Sequence, residues 1–216
     1  MTEQPLIKIC GVRTVPILEC VIGAGADMVG FMRVERSPRH VDLDTLAELI
    51  SIARGRIETV VVLVNPDNTT IAEIAALDPD WIQLHGPETV HRVEMVRANA
   101  GIPVMKAVGV ASAGDLAQVP AFNEVADRIL IDAKSEAGAD RQGGNGQRFD
   151  WGLLKALDPA IPFMLSGGLD PDNVAEAVKS VCPFGLDLSS GVETAPGVKS
   201  EELIRLFIAN ARAAAG

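Results

Sequence analysis

A single-domain α/β fold, with eight parallel strands closed into a barrel and each followed by a helix, is the architecture this sequence predicts. Three observations predict it. Short apolar runs alternate with amphipathic stretches about eight times along the chain, the signature of repeated βα units. The chain has 216 residues, enough for one substantial core, and barrels of this size commonly form one domain. No linker interrupts the alternation. The expected class is therefore α/β, a single-domain (β/α)8 TIM barrel spanning residues 1–216.

The first strand is Leu6-Ile7-Lys8-Ile9-Cys10, stopped by Gly11. A helix over 14–24 follows, then a second strand over 28–32. Leu46, Leu49, Ile50 and Ala53 recur behind it at helical spacing. The third strand, 59–64, is rich in β-branched residues, as a strand covered on both faces should be. Ile71, Ile74 and Ala75 mark the next helix, and Trp81-Ile82-Gln83-Leu84 the fourth strand. A helix over 87–99 opens with Pro87, a residue suited to a first turn. Strands five to eight fall at 102–107, 128–131, 163–165 and 184–186. A last helix carries Leu203, Leu206 and Phe207 on one face. The longest irregular stretch is the glycine-bearing loop 133–148 after strand six, which places it at the carboxyl rim where barrels keep their chemistry.

Composition narrows the function. No apolar run approaches the roughly 18 residues of a membrane helix. The start, Met1-Thr2-Glu3-Gln4, lacks the basic segment and apolar stretch of a signal peptide, so a cytoplasmic location is expected. Three cysteines, Cys10, Cys20 and Cys182, are too few and scattered for a disulfide framework or a metal cluster. Nineteen basic against twenty-nine acidic side chains leave a formal charge of −10, which repels nucleic acid and anionic membranes. An anionic ligand must be held by local groups.

Those groups gather at strand ends. The apolar runs give way to Cys10, Asn65, His85, Lys106, Asp132, Ser166 and Asp187, types that a core does not need and that barrel active sites collect from several strands. Along the first strand Lys8 and Cys10 share one face, roughly 7 Å apart along the strand. A neighbouring ammonium favours thiolate over thiol and would make Cys10 a usable base. Glycine turns at Ser166-Gly167-Gly168 and Ser189-Ser190-Gly191 follow strands seven and eight, where barrels bind phosphate through backbone N–H groups. Gly143, Gly144 and Gly146 offer further amides. Arg39, in the loop after strand two, suits a planar carboxylate through bidentate pairing. Lys8 and Lys106 are read as partners of barrel carboxylates, and Cys20 and Cys182 as structural.

In order along the chain, Lys8-Ile9-Cys10-Gly11, Gly30-Phe31, Ser37-Pro38-Arg39, Gln83-Leu84-His85-Gly86, Lys106-Ala107-Val108, Asp132, Gly143-Gly144-Asn145-Gly146 with Phe149-Asp150-Trp151, Leu165-Ser166-Gly167-Gly168-Leu169 and Ser189-Ser190-Gly191-Val192-Glu193 form a series of blocks. Together they resemble the phosphoribosylanthranilate isomerase family. The resemblance implies an Amadori rearrangement in tryptophan biosynthesis that uses no metal and no cofactor. It casts Cys10 as general base on the C2′ proton and Asp132 as general acid on the furanose oxygen. It assigns Arg39 to the anthranilate carboxylate, and Gly143, Gly144, Gly146, Ser166, Gly167, Gly168, Ser189, Ser190 and Gly191 to the phosphate. The expected partner is a small phosphorylated substrate, with no nucleic acid and no membrane, and the chain a monomer or homodimer.

Three other readings remain to be weighed. A related isomerase of histidine biosynthesis performs the same rearrangement, but its family resembles an aspartate where this chain has Cys10. A Schiff-base aldolase would use Lys106 or Lys8. A barrel kept only as a binding module would not need Cys10, Asp132 and Arg39 together.

Overall fold

Alternation along each strand decides which side chains face the barrel axis and which face the helices. The computed structural model describes residues 4–133 and 150–216. Eight parallel strands, β1 (Leu6–Cys10), β2 (Met28–Met32), β3 (Glu58–Leu63), β4 (Trp81–Leu84), β5 (Val104–Val110), β6 (Arg128–Ala133), β7 (Phe163–Leu165) and β8 (Gly185–Leu188), pair in chain order. The ring closes where β8 pairs with β1, Ile7 opposite Leu186 and Lys8 opposite Asp187.

Outside the ring lie α1 (Val15–Gly23), α2 (Leu43–Ala53), α3 (Asn68–Ala75), α4 (Val90–Ala100), the short α5 (Val119–Asn123), α6 (Val174–Val181) and α7 (Glu201–Ala214). The sequence places a cap at several of their starts. Asp42, Asp67, Thr89 and Ser200 accept the backbone N–H three residues on, answering a donor the first helical turn leaves without a partner. Ile7, Ile9, Val29, Phe31, Val61, Leu63, Ile82 and Leu84 point outward and pack against Leu18, Leu46, Leu49, Ile74 and Val93 of the helices. Burying one such side chain fully stabilises the fold by about 1.5–3 kcal/mol.

Inside the ring the residue types change with height. At the amino-terminal end Met28, Val60, Met105, Leu130 and Met164 form a second apolar cluster. Below it the Arg128 guanidinium lies 4.5 Å from the Trp81 ring and 4.7 Å from the Phe184 ring, a stacked floor. Beside the apolar cluster and on toward the carboxyl end the interior turns polar, with Lys8, Gln83, Asp187, Ser166 and Asp132 all buried.

Several boundaries differ from the sequence reading for physical reasons. β8 runs on to Leu188, because the carboxylate of Asp187 meets Lys8 and is tolerated inside. α4 starts at Val90 rather than 87, since Glu88 turns back to accept N–H bonds from Asn65 and Gly86. α7 buries Ile204, Phe207, Ile208 and Ala211, while Leu206 is 44% exposed, so the apolar stripe lies one position from where Leu206 would put it.

Candidate active site

Cys10 closes β1 with its sulfur turned inward, on the same face as Lys8. Its register partner is Gly30. A Cβ at position 30 would stand 2.8 Å from the Cys10 sulfur, so glycine leaves the thiol its room. The thiol is 4% exposed, and burial pushes its pKa up; Lys8 and Lys199 oppose that effect and Asp187 adds to it. Lys8 acts in the direction the sequence suggests, but the net shift is upward, toward the thiol.

Lys8 itself is wholly buried. Burial acts to lower its pKa, yet the negative charges of Asp187 and an ionised Cys10 outweigh this and hold it above its ordinary value. The ammonium lies 2.8 Å from Asp187 Oδ1 and 2.8 Å from Gln83 Oε1. The same Gln83 reaches His85 Nδ1 with its Nε2 at 2.8 Å, and His85 Nε2 lies 3.1 Å from Asp132 Oδ2. A continuous polar path therefore runs across the barrel from β8 through β1 and β4 to Asp132 on β6. Ser166 joins it from β7 by donating to Asp187 Oδ2 at 3.3 Å.

The loops above the strands pack on one another through glycine. Gly167 has φ +90°, and a Cβ there would lie 2.5 Å from the backbone nitrogen of Ala133 at the end of β6. A Cβ on Gly191 would overlap the carbonyl of Leu169, so the turns after β7 and β8 touch only because that side chain is absent. Ser190 and Gly191 form a short 3₁₀ turn with Val192. Ser189 donates its hydroxyl to the carbonyl of Cys10 at 3.0 Å, tying this turn to β1.

Arg39 is buried beside them, its Cδ above Gly11. The guanidinium is already paired. Its Nε and Nη2 each donate to one oxygen of Glu193 at 2.7 Å, and Lys199 donates to Glu193 Oε1 at 2.8 Å. Burial alone would raise the Glu193 pKa, but Arg39 and Lys199 more than reverse it and hold the carboxyl below its usual range.

Cys10, Asp132, Ser166, Ser189 and Arg39 thus come to one end of the barrel with Gly167, Gly168, Ser190 and Gly191. Gly143, Gly144 and Gly146, expected beside them, lie outside the described residues. Lys106 does not share this space. It faces away from the axis, 2.7 Å from Glu88 Oε2 and 2.6 Å from the carbonyl of Gly86. Asn65 sits in the loop after β3 with φ +46°. Sequence reading missed the roles of Gln83, Glu193 and Lys199 in holding the site. Gln83 carried a signal, an amide in step with Trp81 and His85 on the inward face of an apolar strand. Glu193 did not, since its partner Arg39 is 154 residues away.

The family model of N-(5′-phosphoribosyl)anthranilate (PRA) isomerase matches residues 7–210. A relative named N-(5′-phosphoribosyl)anthranilate isomerase, from Azorhizobium caulinodans, is 51% identical over 209 residues, covering 96% of this chain and 92% of its own. Among solved structures, phosphoribosyl anthranilate isomerase from Thermotoga maritima superposes with a TM-score of 0.85 at 31% identity, covering 97% of this chain and 99% of that one. Another, solved with reduced 1-(o-carboxyphenylamino)-1-deoxyribulose 5-phosphate, gives 0.82 at 30% identity with the same coverage. Motif order, barrel topology and full-length similarity agree, and the chain belongs to the N-(5′-phosphoribosyl)anthranilate isomerase family.

Proposed function

We propose that this chain, as one barrel domain, converts N-(5′-phosphoribosyl)anthranilate into 1-(o-carboxyphenylamino)-1-deoxyribulose 5-phosphate in tryptophan biosynthesis, with Asp132 as acid and Cys10 as base. The carrying observation is that both side chains face the barrel axis at its carboxyl end, three steps apart round the ring, and that Lys8, which shares the inward face of β1 with Cys10, is linked to Asp132 through Gln83 and His85.

In this reading Asp132 delivers its proton to the furanose oxygen as the C1′–O bond breaks, and the nitrogen lone pair forms the cationic Schiff base. Cys10, as thiolate, then takes the C2′ proton, and those electrons neutralise the iminium to give an enolamine. Tautomerisation of its enol leaves the C2′ ketone. The order matters for a thiol that burial holds in its neutral form. Ring opening places a positive charge beside the sulfur, adding to Lys8 and Lys199 and favouring thiolate at the step that needs it. The turns at Ser166–Gly168 and Ser189–Gly191 are assigned to the phosphate. Among the described residues no acceptor takes the N–H of Gly167 or Gly168, which suits an incoming anion. The Nη1 side of Arg39, opposite the edge that Glu193 holds, is assigned to the anthranilate carboxylate.

Freshly made phosphoribosylanthranilate loses its fluorescence as it isomerises, and adding the protein should accelerate that loss. Cys10→Ala and Asp132→Asn should fold and reduce turnover at least about a hundredfold. Wild-type rates in either variant would remove that residue from the mechanism, and an inert wild type would remove the function.

A further inference from the structure

Hydrogen-bond inventory fixes the state of His85 without reference to any titration. Lys8 has donors and no acceptor, so the Gln83 atom 2.8 Å from its ammonium must be the amide oxygen. The other end of that amide, the NH₂ group, is then the atom 2.8 Å from His85 Nδ1. Nδ1 must accept. A ring that accepts at Nδ1 carries its proton on Nε2, and Nε2 lies 3.1 Å from Asp132 Oδ2.

We propose that Gln83, held by Lys8, is a positioning residue of the isomerase reaction: it locks His85 as the neutral Nε2–H tautomer, which engages Oδ2 of Asp132 and leaves Oδ1 to carry the proton delivered to substrate. This rests on the reading of Asp132 as the acid. The lock acts in two ways. A donor stands ready for the carboxylate that forms when the proton leaves, so no group needs to turn at that moment. The imidazolium is also excluded, because a proton on Nδ1 would face the Gln83 NH₂. A cationic His85 would stabilise Asp132 as carboxylate before substrate arrives and so disarm it.

The surroundings of His85 place the decision at Gln83. Among the described residues Asp132 of β6 is the titratable side chain paired with the ring, and once ionised it would favour the cation. Lys8 of β1 and Asp187 of β8 lie beyond Gln83 and pair with each other at 2.8 Å. Lys106 of β5 binds the carbonyls of Leu84 and Gly86 on either side of His85, and its charge is answered by Glu88 at 2.7 Å.

Nitrogen NMR of protein labelled with ¹⁵N-histidine reads the tautomer directly, with three histidines to resolve. His40 supplies the opposite reference, since Arg33 donates to its Nε2 at 3.0 Å. The neutral ring of wild-type His85 should show a protonated Nε2 and a bare Nδ1. Gln83→Glu keeps an acceptor for Lys8 but turns an oxygen toward Nδ1, and should protonate that nitrogen. Its kcat should fall at least about tenfold while KM changes less than about threefold, as for an interaction used in the transition state. Gln83→Met, which frees the tautomer without charging the ring, should lose less kcat than Gln83→Glu. A wild-type His85 protonated at Nδ1 overturns the proposal, whatever the variants do. So does a Gln83→Glu protein with Nδ1 protonated and kcat unchanged. An active Asp132→Asn protein overturns the acid assignment and this proposal with it, whereas an inactive one beside a wrong tautomer overturns the proposal alone.

Discussion

Glu193 and Arg39 show how a residue's neighbours decide its role. The guanidinium spends its Nε and Nη2 edge on a carboxylate of the same chain, and Lys199 steadies that carboxylate from the other side. Glu193→Gln should therefore cost about 3–5 kcal/mol at neutral pH, the usual effect of leaving a buried cation without its partner. The pH dependence has a definite sign. Glu193 is held below its ordinary pKa of about 4.3, so its contribution is whole above that value and is lost as pH falls through the lower folded one. Thermal melts should show the wild type and Glu193→Gln far apart at pH 7 and converging toward pH 3; a constant gap would contradict this. Cys10 and Asp132 were legible in the sequence as polar types ending apolar runs, and Arg39 as an arginine in the loop after strand two. Their partners were not, because a contact between positions 39 and 193 leaves no trace in spacing. The charge balance at Cys10 was read in part. Lys8 on the same strand face was visible, but the burial that outweighs it follows from closure of the whole ring.

At the scale of elements, periodicity carried most of the information. β2, β4 and β7 have the bounds their apolar runs suggest. Errors fell where a polar side chain lies inside an element or an apolar one outside. Asp187 ended β8 early in the reading because its buried partner was unseen, and Pro87 drew α4 forward over a turn organised by the Glu88 carboxylate. In α7 three apolar residues were read as one stripe, although Leu206 is 44% exposed and Phe207 fully buried. Urea unfolding separates the two. Phe207→Ala should lose about 3–5 kcal/mol, and Leu206→Ala should stay within about 0.5 kcal/mol of wild type. Equal losses would mean that the helix sits rotated from the packing described.

For the molecule as a whole, the repeated βα pattern made the barrel legible, since eight such units are the number that closes a parallel sheet on itself. The division of the interior was not legible: Met28 lies opposite Lys8 and Met105 opposite Gln83, yet the methionines pack in an apolar cluster while Lys8, Gln83 and Asp187 join a polar network. The net charge of −10 acts at this scale too. A substrate with a phosphate and a carboxylate approaches against that field, so kcat/KM should rise about twofold or more as salt goes from about 10 mM to about 150 mM. A fall over that range would show that the local cations dominate encounter. The pairing of β8 with β1 brings residues from opposite ends of the chain side by side, and Arg212 of α7 donates to the carbonyl of Pro5 at 2.8 Å. α7, which follows β8, thus runs up beside the residue that leads into β1. A short peptide bridging them, with a fresh cut at the Gly101 turn on the rim away from the catalytic groups, would reorder the polypeptide while leaving every strand beside its present neighbours.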